Sequence, residues 1–390
     1  MTVIDRIAAF HPEMTAWRRD FHAHPEIGFE EVRTSAIVAE KLRSWGIEVV
    51  EGFGITGLVG VIQGRPGNRK IGLRADMDAL PMPELNDFPH RSTNTNRMHA
   101  CGHDGHTTML LGAARYLAET RNFSGTVHLI FQPAEEGLTG AAAMLRDGLF
   151  AKYPCDQVYG IHNAPNLPLG TAAIRSGTVL AAVDYFTITL KGRSSHAASP
   201  HDGLDPLPCA VQVYAALQNL VSRRMDPHDT VVLSIGTFNA GTSQIVIPET
   251  VEMRGTIRTL KASVRRAMDE LFHQTVKGLA AAHGVELTLD YARSYPPTIN
   301  TADEASAFEA AARDVVGDAL IKTDLPSLTA GEDFAYYLEK APGAFMMLGQ
   351  ATPEHGNVPV HNGRYDFNDD LLPIGASCFA RLVEQQLGGG

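Results

Sequence analysis

Short apolar runs that end in polar residues alternate with amphipathic stretches along the first half of the chain. That alternation restricts the fold more than any other feature. The runs are GLVGVIQG (57–64), KIGLRAD (70–76), TVHLIFQPAEE (126–136) and DQVYGIHN (156–163). Apolar runs of four to eight residues bounded by turn formers read as buried strands. Residues 5–21 and 35–46 carry apolar positions at helical spacing, and Gly46 supplies a helix stop. A further helix is predicted over about 107–120, with Leu110, Leu111, Ala114, Leu117 and Ala118 on one stripe. Strands alternating with helices predict an α/β domain with a mostly parallel sheet.

Near residue 184 the pattern changes. DYFTITLKG alternates like a half-exposed strand. A helix over 205–223, strands near 230–238 and 250–258, a helix over 263–283 and a strand over 285–291 follow, which is the split βαβ order. From Arg293 the earlier helix-and-loop pattern resumes. A chain of 390 residues exceeds what one hydrophobic core usually serves. The reading is therefore a catalytic α/β domain (1–182 and 293–390) interrupted by an inserted α+β domain (183–292). The formal charge of −11 excludes the basic stripe of a nucleic-acid binder. No apolar run reaches the ~18 residues a membrane span needs. The N-terminus lacks a secretory pattern, and the four cysteines have irregular spacing. A cytoplasmic protein without a disulfide framework is expected.

Gly52-Phe53-Gly54-Ile55-Thr56-Gly57 matches G-x-G-x-x-G, but a second strand follows it where a dinucleotide site needs a helix. The glycines are expected in a hairpin turn. More telling are polar residues just past strand ends: Asp76, Glu135, Glu136 and His162. Cys101 and His103 fall in the loop that opens the next helix, where Asp104 could cap, and His361 sits in a late polar loop. Ligands of open α/β sheets bind at the carboxyl ends of the strands. Taken singly, such residues usually pack or solvate. Together a thiolate, imidazoles and a carboxylate suit divalent metals such as zinc. Five such donors exceed one tetrahedral ion, which favours a two-metal site with a bridging ligand. Of the adjacent Glu135 and Glu136, one is then free to act as general base.

Seven motifs in series carry a resemblance: RRDFHAHPEIGFEE (18–31), RADMDALP (74–81), MHACGHDGHT (98–107), QPAEEG (132–137), GIHN (160–163), GEDFAYY (331–337) and VHNGRYDFND (360–369). They resemble the aminoacylase/hippurate hydrolase family, dinuclear metal amidohydrolases that include auxin-conjugate hydrolases. The resemblance implies that Cys101 bridges two ions, with His103 and His162 on one and Glu136 and His361 on the other. It implies that Glu135 is the general base and acid, and that Asp76 orients a ligand from behind. His106 is read as a helix-start or supporting residue, and His99 is unassigned. GRSSHAASPHDGLDP (192–206) resembles the family's lid or dimerisation segment, so His196 is expected to donate to the oxyanion, often across a homodimer. Arg258 is a candidate for the substrate carboxylate. Gln244 stands where the family usually carries asparagine, which adds a methylene to that reach.

The implied activity is hydrolysis of N-acyl amino acids to a carboxylate and a free amino acid. Two divalent ions are implied, zinc or manganese first, cobalt or nickel also suiting the donors. Three alternatives stand beside it. They are a small-peptide carboxypeptidase or dipeptidase of the same fold, a cysteine hydrolase using Cys101, and a non-catalytic metal- or ligand-binding protein.

Overall fold

A computed structural model describes residues 1–388; the last two glycines of the 293–390 stretch lie outside the described residues. Chain packing divides the protein into two units. One comprises 1–179, 299–326 and 333–390, and the other 180–298 and 327–332.

The first unit is built on an eight-stranded sheet. Its spine is four parallel strands, Ser124–Gln132, Arg65–Asp76, Gln157–Pro168 and Gly343–Ala351, side by side in that order. Their inner residues are buried on both faces, as a sheet sandwiched between helices requires. The strands Glu48–Phe53 and Gly57–Gln63 form an antiparallel hairpin at one edge. Gly52, Gly54 and Ile55 turn it in left-handed conformations, so the glycine motif is a turn as expected. The helices Val32–Ser44, His103–Thr120, Ala302–Val316 and Leu372–Leu387 contribute apolar residues to the same core.

Two local expectations are corrected. The single helix expected over 5–21 is two helices, Asp5–Ala8 and His11–Ala23. Pro12 explains the break, because its ring clashes with the carbonyl four residues back and it lacks an N–H. The helix expected from 107 starts at His103, after Gly102 at φ +97°. Its first turn carries polar side chains that nonetheless are buried, so no apolar stripe marks it.

The second unit has a four-stranded antiparallel sheet in the order Val231–Ala240, Thr250–Thr259, Ala182–Lys191, Glu286–Arg293. The helices Leu207–Arg223 and Ala262–His283 join these strands in the split βαβ order. Phe186, Ile188, Leu190, Val213, Leu217, Met253, Met268 and Phe272 form its separate core. The architecture is a mostly parallel α/β body interrupted by an inserted α+β unit.

Candidate metal centre

The register of the parallel strands brings distant residues to one rim. Asp76 pairs with Gln132, and Arg74 with Gly160. The chain leaves the strand at Gln132 and runs directly into Glu135 and Glu136. His162 was expected just past its strand, but the strand continues to Pro168, and His162 lies within it opposite Met347. His361 sits on a loop at φ +61°, held by a hydrogen bond from its backbone N–H to the Ala100 carbonyl at 2.7 Å.

Two clusters share one sulfur. Ligand atoms of Cys101, His103 and His162 lie within 4.8 Å of one another, and so do those of Cys101, Glu136 and His361. Cys101 Sγ is 3.4 Å from His162 Nε2, and His361 Nε2 is 3.1 Å from Glu136 Oε1. Glu135 is buried and lies within the same 4.8 Å of His103 and Glu136.

The hydrogen bonds behind the imidazoles decide which nitrogens face inward. His162 Nδ1 donates to the Asn163 carbonyl at 2.7 Å, and His103 Nδ1 to the Asp78 carbonyl at 2.9 Å. In the neutral rings this leaves both Nε2 atoms with lone pairs directed at the cluster. His103 Nε2 is buried and has no hydrogen-bond partner. A buried acceptor without a donor is costly, and a divalent cation satisfies it. The donor set fits such ions: one thiolate, three imidazoles and carboxylate oxygens.

Electrostatics separates the residues. Burial, then the Glu136 charge, push the Cys101 thiol up. Burial and His106 push His162 well down, so its imidazole stays neutral. Burial also opposes a charge on His103, but Asp76 and Cys101 outweigh it, so a divalent ion at Nε2 would take the place of a proton there. Hydrogen bonding to Cys101 and Glu136 raises His361 to about 10.

Asp76 was expected to orient a ligand. It accepts from His106 Nδ1 and from the Arg74 guanidinium, both at 2.7 Å, and stands 3.7 Å from His103 Nε2. His106 Nε2 is held by Asn163 Oδ1 at 2.7 Å, so His106 has no nitrogen free for an ion. The residue that grips His103 is Asp78, which sequence reasoning missed. Its Oδ1 lies 3.2 Å from His103 Nδ1, and its Oδ2 accepts the Glu136 N–H at 2.9 Å. One carboxylate thus steadies a residue of each cluster. The signal for it was a second aspartate two residues after Asp76, just past the end of the strand.

Arg18 was also missed. It is fully buried and pairs with Asp369 at 2.6 Å and Asp366 at 3.0 Å, on the segment after His361. It stands 3.7 Å from Asp104, beside His103. The N-cap position is Gly102 rather than Asp104, whose Oδ1 accepts the Gly105 N–H of the first turn at 3.0 Å. Asp104 also accepts from His22 Nδ1 at 2.8 Å.

In the second unit, His196 is exposed on a two-residue strand paired with Val246–Ile247. Its Nδ1 accepts the Ala198 N–H at 3.0 Å, so the neutral ring carries its proton on Nε2. Gln244 is exposed and lines an open cavity of about 440 Å³ with Thr242 and Ser243. Arg258 is half-buried on Thr250–Thr259, its guanidinium 5.9 Å from the Tyr185 ring.

Comparison with known proteins gives the family. The model of peptidase family M20/M25/M40 matches residues 72–385. A hippurate hydrolase of Campylobacter jejuni is 40% identical over 99% of this chain and 100% of its own. A thermostable carboxypeptidase of Saccharolobus solfataricus is 36% identical over 98% of both chains. The solved structure of a dinuclear metal-binding peptidase of the M20 family from Bacillus subtilis superposes with a TM-score of 0.83 at 34% identity, covering 97% of this chain and 99% of that one. By the family model and by relatives aligned over nearly its whole length, the chain belongs to peptidase family M20/M25/M40 and is a hydrolase of that family.

Proposed function

We propose that this enzyme hydrolyses the amide bond of N-acyl amino acids, releasing a carboxylate and a free amino acid. The observation that carries the reading is the pair of clusters sharing Cys101, with Glu135 beside them. His103 and His162 would hold one divalent ion, Glu136 and His361 the other, and Cys101 both. Zinc or manganese suits the donors best, with cobalt or nickel also compatible. Such ions supply Lewis acidity and lower the pKa of water towards ~7.

The chain's own residues do the rest. Glu135 accepts the proton of the attacking water at a carboxylate oxygen. It returns that proton to the amide nitrogen as the C–N bond breaks. His196, with its proton on Nε2, is suited to donate to the oxyanion. Arg258 and Gln244 would receive the substrate carboxylate. Asp76 supports the centre through Arg74 and His106 rather than through a ligand's Nδ1.

We also propose that residues 183–292 form a lid and homodimerisation domain. Val231–Ala240 is an edge strand bearing exposed Val232 and Phe238, and Leu207–Arg223 exposes Val211 and Tyr214. Unpaired edges and apolar patches commonly mark association surfaces. Light scattering is expected to give a dimer, and a fully active monomer would contradict this. A cytoplasmic location is proposed from the four unpaired cysteines. No helix among the described residues is long and apolar enough to cross a membrane.

A carboxypeptidase reading is favoured by the Saccharolobus relative's name. Cysteine hydrolysis is disfavoured, because Cys101 is buried and its thiol is pushed up. Metal analysis with a panel of N-benzoyl and N-acetyl amino acids and dipeptides tests all three. Acyl amino acids should be cleaved, activity should vanish on chelation, and it should return with zinc or manganese. Activity that survives complete metal removal overturns the proposal.

A further inference from the structure

Glu135 is preceded by a residue of the wrong hand. Ala134 has φ +53°, a conformation that side-chain-bearing residues rarely adopt. It is fully buried, and the Ala134 carbonyl accepts the Gly140 N–H at 2.9 Å. This reversed residue turns the chain just after the strand Ser124–Gln132. Glu135 and Glu136 can then enter the centre from one loop while serving different partners.

A separate strap, residues 26–31, braces that turn. Glu26 ties the strap down at one end. Its carboxylate accepts the N–H groups of Arg33 and Thr34 at 2.9 and 2.8 Å, and its carbonyl accepts from Ala79 N–H at 2.8 Å. Gly28 lies so close to the turn that a Cβ there would fall 2.9 Å from Ala134 Cβ and 2.8 Å from Leu138 Cδ1. Glu31 makes the decisive contact. It is fully buried, one carboxyl oxygen accepts the Ala134 N–H at 2.8 Å, and the other accepts from Thr56 Oγ1 at 2.5 Å. Among the described residues Glu31 bonds to Ala134 and Thr56, and it thereby grips the amide one residue before the general base.

We propose that Glu31 is a positioning residue for Glu135, holding Ala134 in its left-handed conformation so that the base is pre-set against the scissile amide. The inference rests on the reading of Glu135 as general base. Preorganisation of this kind acts on turnover more than on substrate binding, since misplacing a catalytic group by about 1 Å can cost 10²-fold.

The test compares Glu31→Ala, Glu31→Gln and Gly28→Ala in the metal-loaded enzyme, together with hydrogen exchange of the Ala134 amide. Glutamine keeps an acceptor for that amide; alanine does not. Glu31→Ala is expected to lower kcat at least 10-fold with KM within about 3-fold and metal content unchanged. Glu31→Gln should recover most of kcat, and Gly28→Ala should lower it by crowding the same residue. Exchange at Ala134 should quicken in Glu31→Ala alone of the two Glu31 variants. A Glu31→Ala enzyme with wild-type kcat overturns the proposal, as does one that loses activity only in step with lost metal. If Glu31→Ala fails to fold, Gly28→Ala with normal kcat overturns it instead. A wild-type enzyme that cleaves no N-acyl amino acid sinks the functional reading itself, and slow Ala134 exchange in both Glu31 variants sinks only the strap.

Discussion

The two clusters that share Cys101 are built by different means. The one with His103 and His162 is set by regular structure, a helix start and the interior of a central strand. Both rings have Nδ1 tied to a carbonyl, and His103 is 1% exposed. The one with Glu136 and His361 is carried by loops, and the His361 side chain is 51% exposed. The inner cluster is preorganised by the sheet, whereas the outer one depends on braces outside it. Those braces are Asp78 on Glu136, the Ala100 carbonyl on His361, and Arg18 through Asp366 and Asp369. Loops carry function because a scaffold positions them, and here the scaffold reaches one loop through buried charges.

Substitutions can break that contrast. Glu135→Gln replaces none of the proposed ligands, so turnover should fall about 10²–10⁴-fold while both ions are retained. Calorimetric metal titration beside steady-state kinetics checks this, and loss of metal would assign Glu135 to binding. Arg18→Met removes the buried cation shared by Asp366, Asp369 and Asp104, leaving Asp104 to His22 and Asp369 to Arg19. Stability should fall by about 3–5 kcal/mol in urea melts, and the outer ion should weaken before the inner one. Equal weakening of both ions would remove the distinction drawn here. Asp78→Asn spans both clusters and should weaken both ions by about 10–100-fold.

The smallest expected effect on metal binding comes from His128, on the strand that leads to Glu135. Burial, then the charge of Lys70, lower its imidazole to about 4. The unfolded chain takes that proton near 6.5, so between pH 6.5 and 4 the unfolded state binds more protons. This contribution to stability is whole above pH 6.5 and is lost as pH falls. Between pH 7 and 5 it amounts to about 2 kcal/mol. His128→Leu should therefore be less acid-sensitive than the wild type in urea melts at those two values, with unchanged metal affinity. An identical pH slope in both proteins would contradict the assignment.

The inner cluster was largely legible because its parts obey local rules. Apolar runs ending in Asp76 and His162 announce strands, and a Cys-x-His spacing at a helix entrance announces ligands. The helix start at His103 was not legible, since periodicity cannot register polar residues that are buried by partners elsewhere. Asp78 was not singled out, for the same reason. Asp76 ends the strand and Asp78 follows it, and only the hydrogen bonds reveal that Asp78 holds His103 while Asp76 serves Arg74 and His106. The break at Pro12 was a readable signal, outweighed by the helical spacing on either side of it.

Strand–helix alternation and the insertion near residue 184 follow from sequence, because periodicity is a property of neighbouring residues; the proposed metal donors were named from motifs that resemble a known family. Which aspartate orients a ligand, that Arg18 anchors the outer loop, and that Glu31 secures Ala134 were decided by tertiary structure. These contacts join residues from 25 (103 − 78) to 351 (369 − 18) positions apart. A buried charge finds its partner by proximity in the folded chain, and no local pattern encodes that proximity.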